Sequence, residues 1–204
     1  ILEYAQAFEY ALRKFAQSPE ARNKVFGFKE EPKTLAENAA KKILQRFTRR
    51  AWRGYPNEEN ELVVWKTYQK QQKNKDPVPA LLHAMKTALL SPAFIYRMES
   101  IKDQGIPYDI SDYELASRLS YFLWASMPDE ELFTLAQNGQ LQEKSVLSAQ
   151  IDRLLNSPKR LSLAEDFAGQ WLGFSEIVSN RVFYRNQNWN RGVYDEVLFF
   201  FDEL

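Results

Sequence analysis

An all-α fold follows from three features of the 204-residue sequence: apolar residues at helical spacing, helix-start signals between them, and almost no period-two alternation. The expected architecture is an irregular multi-helix bundle. Ser18-Pro19, Ser91-Pro92 and Ser157-Pro158 each separate two helical patterns. Serine caps the helix that follows, and proline is tolerated at its first position, where its missing N–H is not needed. The residue before proline is pushed out of the α region, which ends the preceding helix. Thr34 with Glu37, and Ser111 with Glu114, have the capping-box spacing, and Ser126 with Asp129 gives a looser version.

These signals predict helices near 2–17, 19–26, 34–52, 57–74, 79–90, 92–99, 112–125, 129–137, 143–156, 158–172 and 191–204. Residues 173–190 form the longest stretch without helical period. The chain divides into an N-terminal helical subdomain, 1–100, a connecting loop, 101–110, and a C-terminal helical subdomain, 111–204, unless all three form one continuous domain. In 34–52, Leu35, Ala39, Ile43, Phe47 and Ala51 make one apolar stripe. By contrast, 112–125 is apolar almost all round, which predicts a central helix. The best packing partner for it is 158–172, through Leu161, Ala164, Phe167, Ala168, Trp171 and Leu172.

Composition narrows the function. Lys plus Arg and Asp plus Glu are 27 each, so no net field favours nucleic acid as a partner. With no cysteine, the chain has no disulfide, no thiolate metal site and no C-x-x-C-H haem attachment of its own. No apolar run approaches the roughly 18 residues of a transmembrane segment, and no signal peptide opens the sequence. Both ends interrupt helical patterns, at Ile1-Leu2-Glu3 and at Phe199-Phe200-Phe201, so the expectation is a processed or trimmed piece of a longer protein.

Few residues stand out as sites. His83 is the only histidine and has polar helical neighbours, which suits a solvated surface side chain better than a catalytic one. Asp129, Glu130 and Glu131 fit a helix N-terminus, where the macrodipole favours acidic groups. Asp103, Asp109 and Asp112 match no calcium loop. Arg46, Arg49, Arg50 and Arg53, with Trp52, read as a solvated basic helix end before a phosphate contact. Arg118 lies in the apolar helix. There it is expected to be buried and paired with Glu114, Glu165 or Asp166, with a substrate anion as the second reading. Asp166 and Gln170 stand among apolar faces, where packing accounts for them without a substrate. The segment 181–194 reads first as a surface loop. Its second reading is a carbohydrate-contacting loop, with sugar on Tyr184, Trp189 and Tyr194.

The block Leu115-Ala116-Ser117-Arg118-Leu119-Ser120-Tyr121-Phe122-Leu123-Trp124 closely resembles a signature of large exported planctomycete-type proteins. These are built of domains of unknown function and are often associated with a c-type cytochrome domain. Phe47-Thr48-Arg49-Arg50-Ala51-Trp52-Arg53, Ala88 to Glu99, and Asp166-Phe167-Ala168-Gly169-Gln170-Trp171-Leu172 resemble that family too, in the same order. After its first arginine-rich stretch the chain has Gly54-Tyr55-Pro56 where the family usually continues Arg-Pro. The resemblance carries no catalytic residues. It implies a periplasmic or extracellular location, other domains of the parent chain as partners, and haem only elsewhere in that parent. The expected function is a non-catalytic helical scaffold or interaction module. The alternative is part of an extracellular oxidative or polysaccharide-acting enzyme whose site other domains complete.

Overall fold

The computed structural model describes residues 2–54, 57–72, 76–97, 99, 105–179 and 187–203, with backbone alone at 178–179 and 187–190. Every regular element among them is helical. The chain forms two compact units, Ile1–Ile106 and Pro107–Leu204.

In the first unit, helices α1 (Leu2–Gln17) and α2 (Pro19–Phe26) meet at the Ser18-Pro19 corner. The Ser18 hydroxyl accepts from the Ala21 amide at 3.3 Å, as that step predicts. Helix α3 (Glu37–Ala51) starts three residues later than expected. Thr34 is not its cap. Leu35 packs on the core, and the chain stays extended through Ala36. Next come α4 (Glu58–Gln72) and α5 (Pro77–Leu89), the latter opened by Asp76, whose carboxylate accepts from the Val78 amide at 3.3 Å. The core lies where α1, α3, α4 and α5 converge, on Leu12, Leu44, Trp52, Tyr68, Leu81 and Met85.

Helix α6 (Pro92–Ile95) is half the predicted length, because Tyr96 is already extended. Its opening Ser91 makes no capping bond; the hydroxyl donates back to the Ala88 carbonyl at 2.7 Å. The basic end of α3 explains where α6 stops. Arg53 is buried with a left-handed backbone, φ 55°, and its guanidinium donates to the carbonyls of Ala93, Phe94 and Tyr96. Trp52 is buried beside it, and Arg46 donates to the Val25 carbonyl. The expected solvated helix end is thus, at Trp52 and Arg53, part of the core.

The second unit is organised by α7 (Asp112–Trp124), whose capping box closes as predicted: the Ser111 amide donates to Glu114 at 2.7 Å, and the Glu114 amide to the Ser111 hydroxyl at 3.3 Å. Helix α8 (Glu130–Gln137) is capped by Asp129 itself, not by Ser126. After α9 (Lys144–Leu155), the Ser157-Pro158 step opens a 3-10 turn, Pro158–Arg160. The single helix expected over 158–172 then breaks into a π-helical stretch, Leu163–Ala168, and a short α10 (Gly169–Trp171). Two elements lie where helical period was missing: α11 (Ser175–Ser179) and the first turn of α12 (Gln187–Asp202). Helix α7 touches α8, α9, the 3-10 turn and the π stretch, so it is central to its unit; its most extensive neighbour is α8, and 158–172 is a lesser partner than expected.

Arg153 on α9 pairs with both Asp129 and Glu131 at the start of α8. Asp129 caps the Leu132 amide at 3.0 Å and receives both Arg153 Nη atoms at 2.7 and 3.2 Å. Burial alone would raise the Asp129 carboxyl. The bonds from Arg153 and the Leu132 amide, with the charges of Arg153 and Lys159, outweigh burial and hold it below its ordinary value. A depressed folded value means stability that is present above the unfolded value of 3.8 and is lost as pH falls through the folded one. Asp129→Asn keeps the cap and removes the charge, so we expect a loss of about 1 kcal/mol at pH 7 for this half-exposed pair. The gap between variant and parent should close at acid pH. Urea denaturation at both pH values measures this, and a gap of constant size would assign the loss to the cap instead.

Candidate functional site

The best candidate site is an exposed aromatic row on the second unit. On α7 the buried positions are Glu114, Ala116, Ser117, Ser120, Leu123 and Trp124, several of them small or polar. The small serines and alanine let neighbouring segments approach closely, while the bulkier Phe122 is left on the outer face. Across from it the π stretch turns with a wider period than an α-helix, the Gly169 amide bonding to the Ala164 carbonyl five residues back. Ala164, Ala168 and Gly169 face inward, and Phe167 and Trp171 stand outward.

The three rings touch. Phe122 meets Phe167 edge-on at 5.9 Å between centroids and 62°, and Phe167 stacks on Trp171 at 5.8 Å and 27°. Yet Phe122 is 58% exposed, Phe167 45%, Trp171 69% and the adjacent Leu172 53%. Apolar residues scattered singly on a surface need no explanation, but a contiguous cluster marks an interaction site. Aromatic rings also carry much of the energy at interfaces.

Three of the four residues singled out in the sequence border this row. Arg118 is one helical turn before Phe122, and Asp166 and Gln170, a turn apart, run beside Phe167 and Trp171. All three are exposed, which corrects the expected burial of Arg118. The near-continuous apolar composition of α7 hid the fact that its Phe122 side faces outward. Glu114, the proposed partner, is buried and accepts from the Ser111 amide. Because Arg118 is exposed, any pair it makes is screened by solvent, and Arg118→Met is expected to change unfolding free energy by no more than about 1 kcal/mol. A loss of several kcal/mol in urea would restore the buried-pair reading.

The fourth, Trp189, lies in the first turn of α12, and its side chain falls outside the described residues, as does Tyr184. Tyr194 is half-buried, its ring meeting that of buried Phe174 edge-on at 5.4 Å between centroids. The surface loop expected over 181–194 is a helix from Gln187 onward, drawn in by the cluster of Ala164, Ala168, Phe174 and Leu198. His83 is exposed, as expected. Asp112 accepts from the Leu141 amide and from Gln142 at 2.8 Å each, a structural role. Among the described residues, no group of three or more His, Asp or Glu side chains could hold a metal ion. No helix among them is long and apolar enough to cross a membrane.

No curated protein and no solved structure matches the chain. The aromatic row and both its flanking helices fall within residues 110–201, which match the family PSD4, a protein of unknown function (DUF1592). Residues 39–99 match a second family, PSD5, a protein of unknown function (DUF1595), so the two matches follow one another along the chain.

Proposed function

We propose that this chain is a non-catalytic helical interaction module of a larger exported protein, and that it docks other domains of its parent through the row Phe122–Phe167–Trp171. The observation that carries this reading is the row itself: three rings in series, Phe167 touching both Phe122 and Trp171, all open to solvent. Exposing Trp171 to this extent forgoes burial that could contribute about 1.5–3 kcal/mol for a large apolar side chain, unless a partner supplies it. The succession of two family matches supports a parent built of such modules in series. The sequence resemblance supports export to the periplasm or beyond, and a c-type cytochrome domain in the same parent. Any haem would belong to that domain, since this chain has no cysteine to attach it.

The flanking Arg118, Asp166 and Gln170 suit the polar rim that surrounds an apolar docking centre. Trp171→Ala tests the reading. The variant should unfold at the parental urea concentration, because the side chain is exposed. Its affinity for the remaining parent domains, expressed separately and immobilised, should fall by about 30-fold or more, the scale of an aromatic hot spot. Undiminished binding would sink the proposal. A saturable fluorescence change with polysaccharide fragments, lost in the same variant, would turn it toward the enzyme alternative.

A further inference from the structure

The first unit contains a groove of about 410 Å³ between α1 and α5, independent of the aromatic row. Its apolar lining is Leu12 and Ala16 from α1 and Val78, Pro79 and Leu82 from α5. That volume is within the range of small-ligand sites and equals that of roughly a dozen waters in the liquid. The rim is polar and uneven. Glu9 receives Lys86 at 2.9 Å and Arg13 at 2.7 Å, so two cations share one carboxylate. The hydrogen bonds and charges of Lys86 and Arg13 hold the Glu9 carboxyl below its ordinary value. This corner therefore keeps one uncompensated positive charge, with His83 one turn from Lys86 on the same rim. At the other end of the groove, ten residues from Lys86 along α5, Glu31 pairs with Arg22 at 3.0 Å, while Asp76 caps α5 and keeps its charge at the helix N-terminus, so the positive surplus is confined to the Lys86 end.

We propose that this groove binds a small amphipathic anion, its apolar body over Leu12, Ala16 and Leu82 and its head at Lys86 and Arg13. Charge complementarity selects the head, because Lys86 plus Arg13 less Glu9 leaves one positive charge to satisfy. The apolar lining selects the body, and the volume limits it to a short chain or a single ring.

Hexanoate, hexan-1-ol and hexyl phosphate, titrated onto the whole 204-residue chain and followed by NMR shift changes, provide the test. Hexanoate should bind saturably, with Kd on the order of 1 mM for so few atoms. Hexan-1-ol should bind about fivefold more weakly, the worth of one partly exposed charge. The tighter of hexanoate and hexyl phosphate identifies the head group. Two variants should move in opposite directions. Lys86→Met removes the surplus charge and should abolish the preference for the acid over the alcohol. Glu9→Gln removes the competing carboxylate and should widen that preference. A general loss of folding cannot produce both shifts. Equal binding of acid and alcohol, an unchanged ratio in both variants, or no saturation at about tenfold the expected Kd would each overturn the assignment.

Discussion

Replacing Trp52 with alanine should cost about 3–5 kcal/mol, the range for deleting a buried Trp or Phe. Trp52 is 1% exposed and closes α3 at the point where α3, α4 and α5 converge. Its indole Nε1–H donates to the Ala88 carbonyl at 3.1 Å, fixing the end of α3 against the end of α5. Alanine there removes the ring and leaves a cavity that backbone from three helices cannot easily refill. Single domains are stable by only about 5–15 kcal/mol, so the variant forfeits a large share of the first unit's stability. Trp52→Phe separates the two contributions. It keeps much of the ring volume and loses the hydrogen bond, and the Ala88 carbonyl still accepts from the Ser91 hydroxyl at 2.7 Å. The phenylalanine variant should therefore lose about 1–2 kcal/mol. Urea unfolding followed by circular dichroism gives both values, and a cost below about 1 kcal/mol for alanine would remove Trp52 from the core.

The helices that could be read from sequence were those whose ends are set by neighbours in the chain. Ser18, Ser111 and Ser157 each accept from an amide two or three residues on, and these starts coincide with the observed ones. The misread ends depend on distant partners. Helix α6 stops at Ile95 where carbonyls of its last turn meet Arg53, some 40 residues earlier in the chain. The Thr34–Glu37 spacing was present without its geometry, because the core takes Leu35 in an extended segment. The π stretch escaped because a 3.6-residue period fits the same apolar residues nearly as well over so short a span.

The candidate site was hidden for a related reason. Phe122, Phe167 and Trp171 are large apolar residues at helical spacing, and such residues read as core by default. Only the packing of Ser117, Ser120, Ala164 and Ala168 on the inner side shows that the rings face outward. The polar residues beside them were visible as unusual, but sequence offered burial as their explanation. The alanine and serine positions opposite the rings were the available signal, since small residues on one side of a helix mark its close-packed face.

Removal of the Arg53 guanidinium should be nearly as damaging as loss of Trp52, at about 3 kcal/mol for Arg53→Met. The side chain is 8% exposed and donates to three carbonyls, Phe94 at 3.2 Å, Ala93 at 2.9 Å, and Tyr96. Those carbonyls belong to the end of α6 and the residue that leaves it, where no following turn can take them. Methionine fills much of the space and strands acceptors that water reaches poorly. The planar fork matters as well as the charge, because it presents several N–H groups at fixed angles. Arg53→Lys keeps the charge but cannot span three carbonyls at once, so it should lose about half as much. Arg53→Gly separates the backbone from the side chain. Glycine adopts the left-handed φ of 55° at this position without strain, recovering about 1 kcal/mol while losing every donor. The expected order of urea midpoints is therefore Arg, then Lys, then Gly near Met. Hydrogen exchange at Tyr96, whose amide donates to the Pro92 carbonyl at 2.9 Å, should accelerate in the same order. If lysine matched arginine in both measurements, charge alone would hold α6, and the three-carbonyl fork would have no energetic role.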